Sequence, residues 1–170
     1  MATTCKLIAK NVLGSDTSSV TFSSIPATHD DLWLVCSTRS TTVATQRFLG
    51  MRFNGDSSDV YLYRRLYGTG SAAGSDTDTL TELLTGYIPA ASNTADTFGS
   101  LEAYIPNYAG SANKSVSASA VTENNGSTAH ISAVAGLWPD TDAITSIYLF
   151  PETGNFKSGS SFYLYGITKA

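Results

Sequence analysis

Asp76-Thr77-Asp78 and Asp140-Thr141-Asp142 each place two carboxylates two residues apart, the spacing at which calcium loops present oxygen ligands. Neither continues with the Gly and Glu of an EF-hand loop, and the ordinary role of Asp in turns accounts for both. His29 and His130 are the two histidines. Either could act as the base of a Ser-His-Asp set, but Ser and Asp are so plentiful that no partner is singled out. No Gly-x-Ser-x-Gly elbow leads into a helix. Glycoside hydrolysis needs two facing carboxylates, one of them held protonated. The four glutamates, Glu82, Glu102, Glu123 and Glu152, are scattered and mostly lie beside expected turns. The Gly-rich stretch 68–74 lacks the Lys-Ser/Thr ending of a phosphate loop. Two histidines and two cysteines far apart have no zinc spacing. No catalytic, cofactor-binding or metal-ligating set emerges, and the chain is not expected to be an enzyme.

The aromatics are the remaining candidates, with nine Tyr, seven Phe and two Trp. Trp33 and Trp138 sit in or beside apolar runs and are expected in the core. Tyr87, Tyr104 and Tyr108 fall near strand ends and loops, where Tyr stacks on sugars or anchors protein interfaces. Half-buried sheet packing is the plain alternative for each of them.

Composition narrows the class. At 170 residues the chain reads as one domain, 1–170, long enough to bury roughly 70% of its unfolded surface. Only 14% of residues are charged and the net charge is −4. No Lys/Arg cluster exists beyond Arg64-Arg65, which argues against a nucleic-acid or acidic-membrane partner. In place of Lys and Glu stand 23 Ser and 22 Thr. Such a surface packs against neighbours while desolvating few ions. Cys5 and Cys36 both fall in expected strands and read as small hydrophobes, with a disulfide between neighbouring strands left open. There is no charged-then-apolar leader and no apolar run near ~18 residues, so synthesis and folding in a cytoplasm are expected.

These positions must be held by strands. Period-two alternation and apolar runs predict strands over 5–13, 19–25, 32–36, 46–53, 60–67, 98–105, 114–122, 129–137 and 144–150, with a short one at 87–88. Asn54-Gly55-Asp56 and Asn124-Asn125-Gly126 read as hairpin turns. Residues 68–78 lack periodicity and read as a mobile surface loop, and Leu80, Leu83 and Leu84 as one helical turn. At the end, Gly154-Asn155 turns the chain into a strand with Phe162 and Leu164 on one face and Tyr163, Tyr165 and Ile167 on the other. Apolar on both faces, it is expected to be central and doubly buried. About ten strands without a boundary give an all-β, single-domain β-sandwich, and the long central loops favour Greek-key crossovers and a jelly roll.

Three blocks carry a resemblance. They are residues 22–34 (FSSIPATHDDLWL), the pair Phe98-Gly99-Ser100 and Ile105-Pro106-Asn107-Tyr108-Ala109-Gly110, and a C-terminal set. The last comprises Gly136-Leu137-Trp138, Ala143 to Ile147, Gly154-Asn155-Phe156 and Gly159 to Ile167. In this order they resemble a family of small β-rich structural proteins of tailed bacteriophages, similar to jelly-roll modules of capsid decorations, head fibres and tail tips. The resemblance spans most of the chain and brings no catalytic motif. It implies a virion protein at the capsid surface, made in the bacterial host cytoplasm. The bare module, without stalk or heptads, implies a decoration (cement) protein bound to the major capsid protein. It also implies a homo-oligomer, a trimer being the form that suits three-fold lattice positions. No cofactor is expected, and the sparse basic charge leaves no expectation of nucleic acid or membrane as partner. The alternative it leaves is a carbohydrate-binding adhesin at a tail fibre or tail tip, gripping host glycan through Tyr87, Tyr104, Tyr108 and the 68–78 loop.

Overall fold

The computed structural model describes residues 4–123 and 129–169, which form twelve β-strands in two antiparallel sheets and no helix. The strands are β1 (Cys5–Val12), β2 (Val20–Phe22), β3 (Asp31–Thr38), β4 (Gln46–Phe53), β5 (Tyr61–Gly68) and β6 (Ala73–Leu80). They continue as β7 (Leu83–Pro89), β8 (Gly99–Ile105), β9 (Lys114–Thr122), β10 (His130–Trp138), β11 (Ile147–Pro151) and β12 (Ser161–Ile167). One sheet runs β1-β12-β3-β8-β9-β10-β5-β6 and the other β2-β11-β4-β7. Setting aside the hairpin β5–β6 and the pair β9–β10, eight strands remain. They form a β1-β12-β3-β8 sheet facing a β2-β11-β4-β7 sheet, and the chain crosses between the two at nearly every connection. This is the jelly roll. The two added pairs join edge to edge beyond β8 and widen one sheet to eight strands.

The core is the set of alternate residues that both sheets turn inward. Phe162 and Leu164 of β12, Leu32 and Leu34 of β3, and Leu49, Met51 and Phe53 of β4 are fully buried. At one end Trp138 packs on Phe53 and Tyr61, with ring centroids 5.5 and 6.5 Å away. Their polar atoms are met by the β4–β5 turn. Trp138 Nε1 donates to Asp56 Oδ2 at 2.8 Å, and the Tyr61 hydroxyl accepts from Phe53 N at 2.9 Å and donates to Asp56 O at 3.1 Å. A buried indole and phenol need such partners, so the Asn54-Gly55-Asp56 turn fixes the core as well as reversing the chain.

Several local expectations are corrected. Residues 73–80 form strand β6 rather than a loop, because β5 supplies a complete ladder and Arg65 engages Asp76 across it. Leu83 and Leu84 lie in β7 rather than a helical turn. Gly86, at φ 138°, sits where a Cβ would come within 2.4 Å of Ala120 Cβ, so β7 presses onto β9 as an extended strand only because this position is glycine. β12 is interior to its sheet but buried on one face: Tyr163, Tyr165 and Ile167 on the other are only half-buried. Trp138 is core as expected, but Trp33 points to that same outer side, its ring 5.8 Å from that of Tyr165. Cys5 is exposed, Cys36 is buried, and both are free thiols, burial pushing the Cys36 thiol up. The expected Asn124-Asn125-Gly126 turn lies outside the described residues, although the flanking Val121–Ile131 pairing is present.

Candidate functional site

The sequence-nominated residues do not converge. Tyr108 is completely buried, its hydroxyl donating to the Pro26 carbonyl, and burial raises its phenol above the usual range. That removes it from the contact candidates, since the conformation of the loop closes its ring into the core. Tyr87 belongs to a cluster between the sheets. Its ring stacks on Phe48 at 4.0 Å and meets His130 edge-on at 4.8 Å. The Arg65 guanidinium lies 4.6, 4.7 and 4.9 Å from the ring centroids of Phe48, Tyr67 and Tyr87. It donates from Nε to Asp76 Oδ1 at 3.0 Å and from Nη2 to Asp76 Oδ2. A three-ring cage for a cation is thus filled by the chain's own arginine. His130, stacked against Tyr67 at 5.7 Å, is held below the ordinary imidazole range by burial and then by the Arg65 charge. Tyr87 is therefore engaged on several sides.

Other patterns resolve into structural roles. Asp76 is committed to Arg65, and Asp78 accepts from Thr79 N at 2.8 Å. The Asp140 loop faces Lys114, whose buried ammonium donates to the carbonyls of Gly110, Ala112 and Asp140 at 2.8, 2.6 and 3.4 Å. Desolvation holds that ammonium below the usual lysine range. His29 covers Gly166, with Nδ1 3.0 Å from Thr168 Oγ1. Among the described residues no group of three or more His, Cys, Asp and Glu side chains could hold a metal ion.

Tyr104 leads to a different kind of site. It is 39% exposed, and its hydroxyl donates to Asp31 Oδ2 at 2.6 Å, a bond that pushes the phenol up to about 12. The register carries this residue across the whole large sheet. Leu7, Tyr165, Trp33, Tyr104, Ser117, Ala135, Arg64 and Thr77 stand side by side on β1, β12, β3, β8, β9, β10, β5 and β6. One pleat further along, the row reads Lys10, Tyr163, Val35, Glu102, Ser119, Ala133, Leu66 and Ser75. Both rows face away from the core.

Among the described residues eight large hydrophobics are exposed, and seven of them lie on this outer face: Leu7, Val12, Leu62, Leu66, Tyr104, Val121 and Ile131. Only Val43 lies elsewhere. Among the described strand residues, exposed charges on the face come down to Lys10, Arg64 and Glu102, with Glu123 at its margin beside Val121 and Ile131. The outer side of the small sheet is different in kind, with Arg52 paired to Glu82 at 2.9 Å and laid over the Phe150 ring. Solitary exposed apolar residues are ordinary, whereas here seven share one sheet face, and apolar surface gathered in this way is the kind found at interaction sites. The signal was present in the sequence as strands whose outward positions hold Leu, Ile, Ala and Ser instead of Lys and Glu. It needs the register to become a surface.

No protein-family model matches the chain, and no curated protein matches it.

Proposed function

We propose that this chain works by adhesion, as a structural module whose large sheet is covered in an assembled particle. The observation that carries the reading is the gathering of seven of the eight exposed large hydrophobics on one outer face. A face so poor in charge is buried with little desolvation penalty, and its Ser and Ala side chains lose little conformational freedom on contact. The resemblance of the three sequence blocks supplies the setting: a tailed-bacteriophage virion, where the chain decorates and cements the coat lattice from outside. Binding only to the assembled shell stabilises that shell by mass action, and many weak contacts acting together resist internal pressure.

Two measurements test this setting. The purified chain is expected to co-sediment near stoichiometrically with expanded empty shells and not with dissociated coat protein; no binding to shells contradicts the proposal. Quantitative mass spectrometry of purified particles is expected to find it in numbers comparable with the coat protein. A handful of copies per particle contradicts capsid decoration and points to the tail.

A further inference from the structure

We infer that the outer face of the eight-stranded sheet is an isologous interface, and that its occupant is a second copy of this chain. The inference rests on the adhesive reading of that face but not on the virion setting. Size is the first argument. Eight strands at ~4.8 Å and outward residues at ~6.8 Å make a face of roughly 35 by 25 Å, on the order of 850 Å². Stable complexes need about 800 Å² from each partner.

Relief is the second argument. In the middle of β9 and β10 the outward residues are small, Ser117, Ser119, Ala133 and Ala135, with Val121 and Ile131 closing one end, between an aromatic ridge on β3 and β8 and the longer side chains of β5. A trough of about 580 Å³ opens on this strip at Ser117, Ala133 and Ala135 and continues past Arg64 and Leu66 to Ser75 and Thr77 of β6. A ridge beside a trough is self-complementary under a two-fold axis. With the axis between the two sheets and running along β9, β8 of each copy lies over β10 of the other, and β3 over β5. Tyr104 then enters the trough above the second copy's Ala135, and Trp33 covers its Arg64. Tyr104 is already held by Asp31, so little side-chain entropy is lost when it inserts.

Charge is the third argument. Arg64 and Glu102 are exposed, and neither makes an ion pair within the described chain. The same axis brings Glu102 of one copy beside Arg64 of the other, twice. A two-fold pairing of this kind gives a dimer, where the resemblance implies a trimer, so mass alone separates them.

Sedimentation equilibrium on the purified chain is the test. The expected result is a species of twice the chain mass. Ala135→Arg places a long cation in the trough and is expected to raise the dimer dissociation constant at least about a hundred-fold while the circular-dichroism spectrum stays unchanged. Arg64→Glu and Glu102→Arg are each expected to weaken the dimer, and the double variant to recover it, because only exchange across the axis restores both pairs. Should Ala135→Arg fail to fold, Ser117→Cys in a Cys5→Ser background gives an independent reading. Residue 117 lies next to the axis, and a short bis-maleimide is expected to link two copies there. A monomer or a trimer overturns the inference, as does a dimer indifferent to these substitutions. Shell binding is measured separately. A dimer that ignores shells leaves the face correct and the virion setting wrong, and a monomer that binds shells does the reverse.

Discussion

Asp56 shows how much one turn residue can hold. Its side chain accepts from the Trp138 indole and from both the amide and hydroxyl of Ser58, and these bonds, the Ser58 hydroxyl foremost, keep its carboxyl below the usual range. A carboxyl whose folded pKa is depressed contributes stability that is complete above its unfolded value, about 3.9, and is lost as pH falls through the folded one. Asp56→Ala leaves the buried indole N–H without its acceptor and is expected to cost about 1–3 kcal/mol in chemical denaturation. His130 acts in the same sense but in a higher window. Its folded pKa lies below the unfolded value of about 6.5, so the unfolded chain binds the proton more readily and stability falls as pH drops below about 6.5. Arg65 faces it as a like charge, while Tyr67 and Tyr87 pack its ring. His130→Phe is expected to remove that part of the slope in urea titrations between pH 5 and 7. An unchanged slope would assign it to other groups.

At the scale of elements, what could be read from sequence was whatever depends on neighbours along the chain. The alternation in 98–105 and 114–122 is local, and those strands form where expected. So did the reversal at Gly154, whose φ is 74°. What could not be read depends on neighbours across the sheet. The β6 segment Ala73–Leu80 has no apolar rhythm and is a strand because β5 pairs with it and Arg65 reaches Asp76. Leu83 and Leu84 look helical until Gly86 meets β9. Gly86→Ala is expected to destabilise the fold by about 2 kcal/mol or more, combining a clash with Ala120 and a positive φ. Arg39 left no trace in the sequence at all. It is 5% exposed and donates to the carbonyls of Thr94 and Thr97 at 2.7 and 2.8 Å and of Asn93 at 3.0 Å. It thereby organises the 90–98 connection from within. Arg39→Ala is expected to speed amide exchange in 91–97 by at least about tenfold while the strands keep their protection. Uniform acceleration everywhere would show a global effect instead. The candidate site was legible in the same proportion. Tyr104 was named from the sequence as a contact and does stand on the outer face. Tyr87 and Tyr108 were named beside it, but one is engaged by Arg65 and the other is core, because side-chain direction at a strand end is set by packing that no local pattern encodes.

For the whole molecule, the account is that insertion of two strand pairs widened one sheet of a jelly roll, and that the added area is what the protein uses. The eight strands need only three exposed charges on their outer side, whereas the small sheet keeps an ion pair on its own. Under the adhesive proposal this asymmetry has a physical reason: ions are spared on the surface that is to be buried. The decisive measurement is side-chain oxidation footprinting of the isolated chain, diluted until it is monomeric, and of the same chain in its assembled state. Strong protection on assembly is expected at Trp33, Tyr104, Leu66 and Ile131, with Phe150 unchanged. Protection confined to Phe150 and Tyr148, with the large sheet as reactive as in the isolated chain, would contradict it.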